Sequence, residues 1–329
     1  MTRRQSLISL VGLSALAALF ISATPATDSA FLSHTVTRGE TVSLLCIELY
    51  GRYTPAMGAV LLRDNPELKD VNIVLVGQTL KMRNPGAPAA AAATADPDVT
   101  LFVKEVAVTQ GVVTYIEGTA TLKPAAGGAA KPLAVNSVVV PGDAITTGAK
   151  GRVEIIINRE SVVRIRENSK LVLTEFRDAG ATGGSTKVNF RLGTVWTKMK
   201  KFGDKVMRFQ LELPTAMAGV HGTVYQARAA ADSSGEVSVF DGEVEVKGRQ
   251  PSGSTGNLAP DEVAGPSEVE GPHEVSMEEW TYIIRTQQTI KIDKSGKPSA
   301  PSNFTTNPGD QWVKWNQERD LRIARIFGE

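Results

Sequence analysis

The chain has 329 residues, with 36 Lys+Arg against 35 Asp+Glu, 42% apolar and 22% charged side chains, an ordinary globular composition at a length that accommodates two or three domains. Without Arg3, Arg4 and Asp28, in the leader described next, 34 basic residues stand against 34 acidic ones, a net charge of 0; this is not the basic surplus that a nucleic-acid binder needs to neutralise phosphates. One cysteine, Cys46, excludes an internal disulfide and a multi-Cys zinc site, and His34, His221 and His273 stand too far apart for a local metal-ligand spacing. No metal and no cofactor is expected.

Residues 1–30 read as an export leader. Thr2-Arg3-Arg4 precedes an apolar run from Leu7 to Ile21, and small residues follow at Ala23 and Ala26, the layout of a secretory signal peptide. The run falls short of the roughly 20 residues of a spanning helix, and no cysteine follows it as in a lipoprotein. An uncleaved N-terminal anchor is the alternative. No later segment is long and apolar enough to cross a membrane, so the mature chain is expected in the periplasm or cell wall.

Composition then marks the breaks. Residues 84–98 are Pro/Ala-rich, with Ala89 to Ala93 flanked by prolines, and read as a tether. Residues 249–279 begin with a Gly/Pro/Ser stretch and continue into Asp261, Glu262, Glu268, Glu270, Glu274, Glu278 and Glu279 without a Lys or Arg from 261 onward. That acidic piece lacks the spacing of a calcium loop and reads as solvated. Three units remain: 31–83, 99–248 and 280–329.

In 31–83, His34 to Thr37 alternates like a strand, Thr41 suits a helix N-cap, and Val42, Leu45, Cys46 and Leu49 share a face. A second helix runs from about Pro55 to Asn65, and Thr79 to Met82 forms a return strand, giving β-α-α-β. Cys46, facing inward, reads as a core residue rather than a nucleophile. The sequence His34-Thr-Val-x-x-Gly39-Glu40-Thr41-Val42, then Tyr50-Gly51, Asn65-Pro66 and Ile73-x-x-Val76-Gly77-Gln78-x-Leu80, resembles a LysM domain, departing from it at Glu40, Val42 and a long stretch before Asn65. LysM domains bind N-acetylglucosamine glycans, in bacteria chiefly peptidoglycan. The resemblance implies a groove between Gly39, Glu40, Thr41 and Val42 on one side and Asn72, Ile73 and Val74 on the other. Backbone groups of two facing loops would bracket the N-acetyl amide while short apolar side chains receive its methyl. The plainer reading is that these residues only turn the chain and cap the helix.

Between 99 and 248, short alternating runs recur at about ten-residue spacing: Gly111–Ile116, Ser137–Val140, Val153–Ile157, Val162–Arg166, Leu171–Phe176, Val188–Leu192, Val195–Met199, Phe209–Leu213, Thr223–Ala227, Val237–Phe240 and Glu243–Val246. Asp241-Gly242 reads as a two-residue hairpin. An all-β sandwich or a coil of stacked short strands is expected. Pro141-Gly142-Asp143-x-Ile145-x-Thr147-Gly148, Arg152 to Ile165, Leu192-Gly193-Thr194-Val195, Pro214 to Tyr225 and Val239-x-Asp241-Gly242-x-Val244-x-Val246 resemble the FecR domain. His221 stands where that family usually has Arg. A catalytic role for His221 is set aside in favour of local hydrogen bonding in a tight strand connection. Lys198, Lys200, Lys201 and Lys205, interleaved with Trp196 and Phe202, read as a solvated hairpin face or a patch for an anionic glycan or lipid.

Residues 280–329 offer two strands, Glu279–Ile284 and Thr289–Ile292, and an amphipathic helix from Gln311 to Phe327. Trp312, Trp315, Ile323 and Ile326 fall on one side, and Glu318 with Arg322 is an i,i+4 pair. Trp315-x-x-x-Arg319-Asp320 resembles a helix that often follows FecR domains. Mixed charge favours a helix docked on the core over one lying on a membrane.

The sequence therefore reads as a multi-domain, non-enzymatic envelope protein: a small α+β LysM-like domain, an all-β FecR-like domain and a C-terminal helix. Peptidoglycan or another N-acetylglucosamine glycan is the expected ligand, and an envelope protein the possible partner of the FecR-like domain; no nucleic acid is expected. One alternative is a FecR-type signalling regulator, although that arrangement calls for a longer segment before a spanning helix than the six residues ahead of Leu7. The other is a peptidoglycan hydrolase or its accessory subunit, for which no Cys/His pair, zinc spacing or Ser nucleophile motif is seen.

Overall fold

The computed structural model describes residues 30–85, 101–102, 110–177, 184–201, 208–220, 222–248 and 280–329. The leader, most of the Pro/Ala-rich stretch, the acidic segment, His221, Phe202 and Lys205 lie outside the described residues.

The small unit has the expected order: β1 (Phe31–Thr35), α1 (Val42–Tyr50), α2 (Pro55–Asp64) and β2 (Thr79–Arg83). The hydroxyl of Thr41 accepts the Leu44 N–H at 3.2 Å to open α1, and Gly51, at φ +83, closes it. Asn65 explains its own place in the sequence. Its amide donates to the carbonyls of Leu61 (2.8 Å) and Lys81 (3.0 Å) and its carbonyl accepts the Lys81 N–H (2.6 Å), so the end of α2 is tied to β2. Cys46 is fully buried, and burial alone pushes its thiol up.

The β-body contains β3 (Gly111–Glu117), β4 (Ala120–Lys123), β5 (Lys131–Pro132), β6 (Val138–Val139), β7 (Ala144–Thr147), β8 (Arg152–Ile157), β9 (Ser161–Ile165), β10 (Lys170–Arg177), β11 (Ser185–Met199), β12 (Arg208–Glu212), β13 (Ala216–Val220), β14 (Val224–Ala229), β15 (Gly235–Asp241), β16 (Glu243–Gly248), β17 (Thr281–Arg285), β18 (Gln288–Ile292) and β19 (Ser302–Asn303). They form one curled sheet of two facing layers. The first runs β6-β3-β8-β9-β11-β14-β15-β18-β19. The second runs β5-β4-β7-β10-β11-β12-β13-β16-β17, antiparallel except for β11 with β12. Alternate residues of both layers, among them Ile155, Val163, Ile165, Leu173, Phe190, Leu211 and Val246, fill the space between them.

Two expectations need correction. Val188–Leu192 and Val195–Met199 are halves of one 15-residue strand, β11, which pairs with β10 in the second layer and with β9 and β14 in the first. Gly193, at φ +103, makes the crossing. Asp241-Gly242 does not close a hairpin: β15 pairs with β14 and β18, and β16 with β13 and β17. The Gly242 turn hands the chain from one layer to the other. Strand β13 was not expected because Ala216, Ala218 and Gly219 are weak strand formers; neighbours β12 and β16 impose it.

Asp143 of the Gly-Asp turn is structural. It is buried, and its two carboxylate oxygens accept the N–H groups of Ala125 (2.9 Å) and Val140 (3.0 Å). The C-terminal helix, α3 (Gln311–Phe327), is capped by Asp310 and by Gly328 at φ +73. It lies with the small unit on the outer face of the first layer. There Ile323, Ile326 and Phe327 join one apolar cluster with α1, α2, Val112, Ile156 and Val162, while Trp312 and Val313 pack on Trp196.

Gly193→Ala should cost about 2–4 kcal/mol, because a Cβ there would meet the Ser169 Oγ at 2.0 Å on a left-handed backbone. Denaturant unfolding measures it. Gly127→Ala, also left-handed but with open space around it, should cost about 1 kcal/mol.

Candidate functional site

The outer face of the first layer carries polar residues in cross-strand register. Glu154 of β8 faces Arg164 of β9, Arg164 faces Trp196 of β11, and Trp196 faces Gln226 of β14. Helix α3 lies across this row. Arg319 donates from Nε and Nη2 to the two Glu154 oxygens (2.7 and 2.6 Å), while Arg164 Nε reaches Glu154 Oε2 at 2.7 Å. Thr114 Oγ1 adds a bond to Glu154 at 2.8 Å. Asp320 receives Arg164 Nη1 at 2.5 Å and the Trp196 indole at 3.0 Å, and the Trp312 indole donates to Gln226 at 2.9 Å.

Glu154 and Arg164 are both 0% exposed. Burial opposes ionisation of Glu154, but Arg319 and Arg164 overcome it and hold the carboxyl below the usual carboxylate range. Arg319 itself is raised: burial works against its charge, and Glu154 outweighs burial. Its guanidinium also lies over Tyr115, 4.8 Å from the ring centroid. The expected Glu318–Arg322 pair is not made. Arg322 instead reaches off the helix to Glu40 and, at 3.7 Å, to Glu48 of the small unit.

This junction covers part of the groove implied by the sequence. The Gly39 carbonyl accepts from Arg319 at 3.3 Å. Glu40 is buried against His34 (2.8 Å), the Thr37 N–H (2.5 Å) and Arg322. Burial raises its carboxyl, yet those three partners bring it to about 2. Thr41 donates to the Thr114 carbonyl at 2.9 Å, and Val42 is buried. On the facing loop, Asn72 and Ile73 are exposed and Val74 is half-buried, with Leu75 and Val76 exposed beyond them. The first turn of α1 and the facing loop both touch Asn136, which lies between β5 and β6. The Ser43 N–H donates to Asn136 Oδ1 at 2.9 Å, and Asn136 Nδ2 donates to the Val71 carbonyl (2.8 Å) and Asn72 Oδ1 (3.1 Å).

Glu154, Arg164 and Asn136 were not singled out from the sequence. A signal was present for the first two: a charge between apolar neighbours in Val153-Glu154-Ile155 and Val163-Arg164-Ile165, which period-2 reading assigned to solvent. Arg319 and Asp320 were quoted for their resemblance without a partner. Lys198 and Lys201 do not form a free basic patch. Lys198 Nζ pairs with Glu329 at 2.8 Å and Lys201 Nζ with Asp241 at 2.8 Å. Among the described residues, no group of three or more His, Cys, Asp or Glu side chains could hold a metal ion, and no helix is long and apolar enough to cross a membrane.

The span from the Asp143 turn to β16, including the crossing strand and the Glu154–Arg164 pair, coincides with a known family. Residues 143–245 carry a FecR domain. The match to the FecR protein family covers about a third of the chain and leaves out the small unit and α3. Two crystal structures, at 1.65 and 2.50 Å, of a candidate anti-sigma factor from Parabacteroides distasonis ATCC 8503 are similar in shape, each at TM-score 0.36 and 14% identity, over 56% of this chain and 75% of theirs. No curated protein matches the chain.

Glu154→Ala should take the carboxylate from Arg319 and from the Nε of buried Arg164, and cost about 3–5 kcal/mol in denaturant unfolding. Acid should weaken the contact between α3 and the small unit. Glu40 has a folded value depressed from 4.5 to about 2; its contribution is whole above 4.5 and lost as pH falls toward 2. Stability measured between pH 7 and 2 should fall in that window, and Glu40→Gln should flatten the fall.

Proposed function

We propose that this chain is a non-enzymatic, exported envelope protein of the regulatory kind. In this reading the FecR domain engages another envelope protein, and the small unit is a LysM-like module for an N-acetylglucosamine glycan, peptidoglycan foremost. The observation that carries the first half is the FecR match over 143–245. It supports an envelope signalling regulator most directly, with attachment to the wall as the property the module adds. The second half is supported by the ordered LysM-like residues and by the β-α-α-β order in which they fall.

A non-enzymatic role is supported by the state of the buried groups. A general acid needs a raised carboxyl, whereas Glu40 is lowered by His34, the Thr37 N–H and Arg322, and Glu154 by Arg319 and Arg164. The thiol of Cys46 is buried and pushed up, opposite to an activated nucleophile.

The mature chain, mixed with purified insoluble peptidoglycan, should pellet with it and release no soluble fragments. Failure to pellet, with Ile73→Asp behaving as wild type, would remove the glycan half. Release of fragments would remove the non-enzymatic half.

A further inference from the structure

Asn136 bridges the start of α1, directly after the first of the two loops that the LysM resemblance assigns to the sugar, and the second of those loops. It is 5% exposed and sits at φ +64, a left-handed conformation that Asn adopts more readily than most residues. Its backbone N–H is held by the Val113 carbonyl at 2.8 Å, so the side chain is aimed rather than loose. Its carboxamide presents its carbonyl to a backbone N–H in the first turn of α1 (Ser43), directly after the first loop, and one N–H to a backbone carbonyl at the second loop (Val71). An N-acetyl group presents the same acceptor and donor. Around it, Thr41 and Ser43 donate to the carbonyls of Thr114 and Val113 at 2.9 and 3.3 Å, which presses the groove against β3. The outer rim remains open: Ile73, Leu75 and Val76 are 62%, 67% and 70% exposed.

We propose that Asn136 is a built-in occupant of the glycan groove. An N-acetylated sugar and the docked FecR body then compete for the same loops, and glycan binding is coupled to release of that contact. This inference rests on the LysM-like reading above. It makes the small unit a sensor as well as an anchor, because the sugar must displace a side chain belonging to the β-body. Occupancy by Asn136 lowers apparent affinity by the fraction of time the groove is filled. Arg319 and Arg322 of α3 set that fraction, since they hold the first loop at Gly39 and Glu40.

The test uses the full mature chain and triacetylchitotriose. Asn136→Gly removes the carboxamide while keeping a residue at ease in the left-handed region, and Asn136→Asp keeps the shape but loses the donors to Val71 and Asn72. Calorimetric titration should give at least tenfold tighter binding for Asn136→Gly than for wild type, with Asn136→Asp also tighter. In the wild type, the Asn136 carboxamide protons should exchange slowly without sugar and fast at saturation. Equal affinities, with those protons still protected in the wild-type complex, would overturn the inference and leave the glycan reading intact. No binding by Asn136→Gly or by Asn136→Gly/Arg322→Ala, each with a wild-type near-ultraviolet spectrum, would overturn the glycan reading and this inference with it.

Discussion

Everything on the outer face of the first layer depends on one buried carboxylate, Glu154. Taken out of water it is costly: even after relaxation the penalty is several kcal/mol per ion. The structure offsets it with two guanidinium groups and a hydroxyl, all within hydrogen-bond distance. Two of these donors, Arg164 and Thr114, come from neighbouring strands, but Arg319 comes from α3, more than 150 residues further along the chain. The sheet alone therefore leaves Glu154 half-compensated. An apolar helix face would have docked by burial and in several registers, whereas fixed pairs at Glu154, Arg164 and Trp196 leave one. The network is better understood as setting where the helix sits than as adding net stability.

That position then governs the small unit. The same helix turns that carry Arg319 and Asp320 bring Arg322 to Glu40 and Ile323, Ile326 and Phe327 to the apolar faces of α1 and α2. A module of about 50 residues buries too little surface to be more than marginal alone. Here it gains a shared core with Val112, Ile156 and Val162 of the β-body. Chain ends far apart in sequence are joined over the FecR domain, so a change felt by the first loop at Gly39 and Glu40 has a direct mechanical route to the β-body.

Much of the fold was legible. The β-α-α-β order followed from caps at Thr41 and Gly51 and from apolar spacing, and most strands from period-2 alternation. What was not legible shares one cause: it is decided by partners distant in the chain. The Gly242 turn has the local chemistry of a hairpin, yet its strands belong to different layers. Strand β11 carries a glycine that looks like a break and is a crossing. Glu154 and Arg164 alternate as solvent-facing residues should, and only α3 turns that face into an interior. At the candidate site, the sequence named the two loops, while Asn136, which bridges the start of α1 and the second loop, bears no motif and sits in a turn where Asn is unremarkable.

The small unit, α3 and the β-body are expected to stand or fall together in the absence of ligand. Differential scanning calorimetry of the chain from residue 31 to 329 at neutral pH tests this most directly. One transition is predicted, with calorimetric and van't Hoff enthalpies in agreement. Two resolved transitions, the earlier one assigned by hydrogen exchange to residues 31–83, would contradict it and reduce the junction to a weak contact between independent parts.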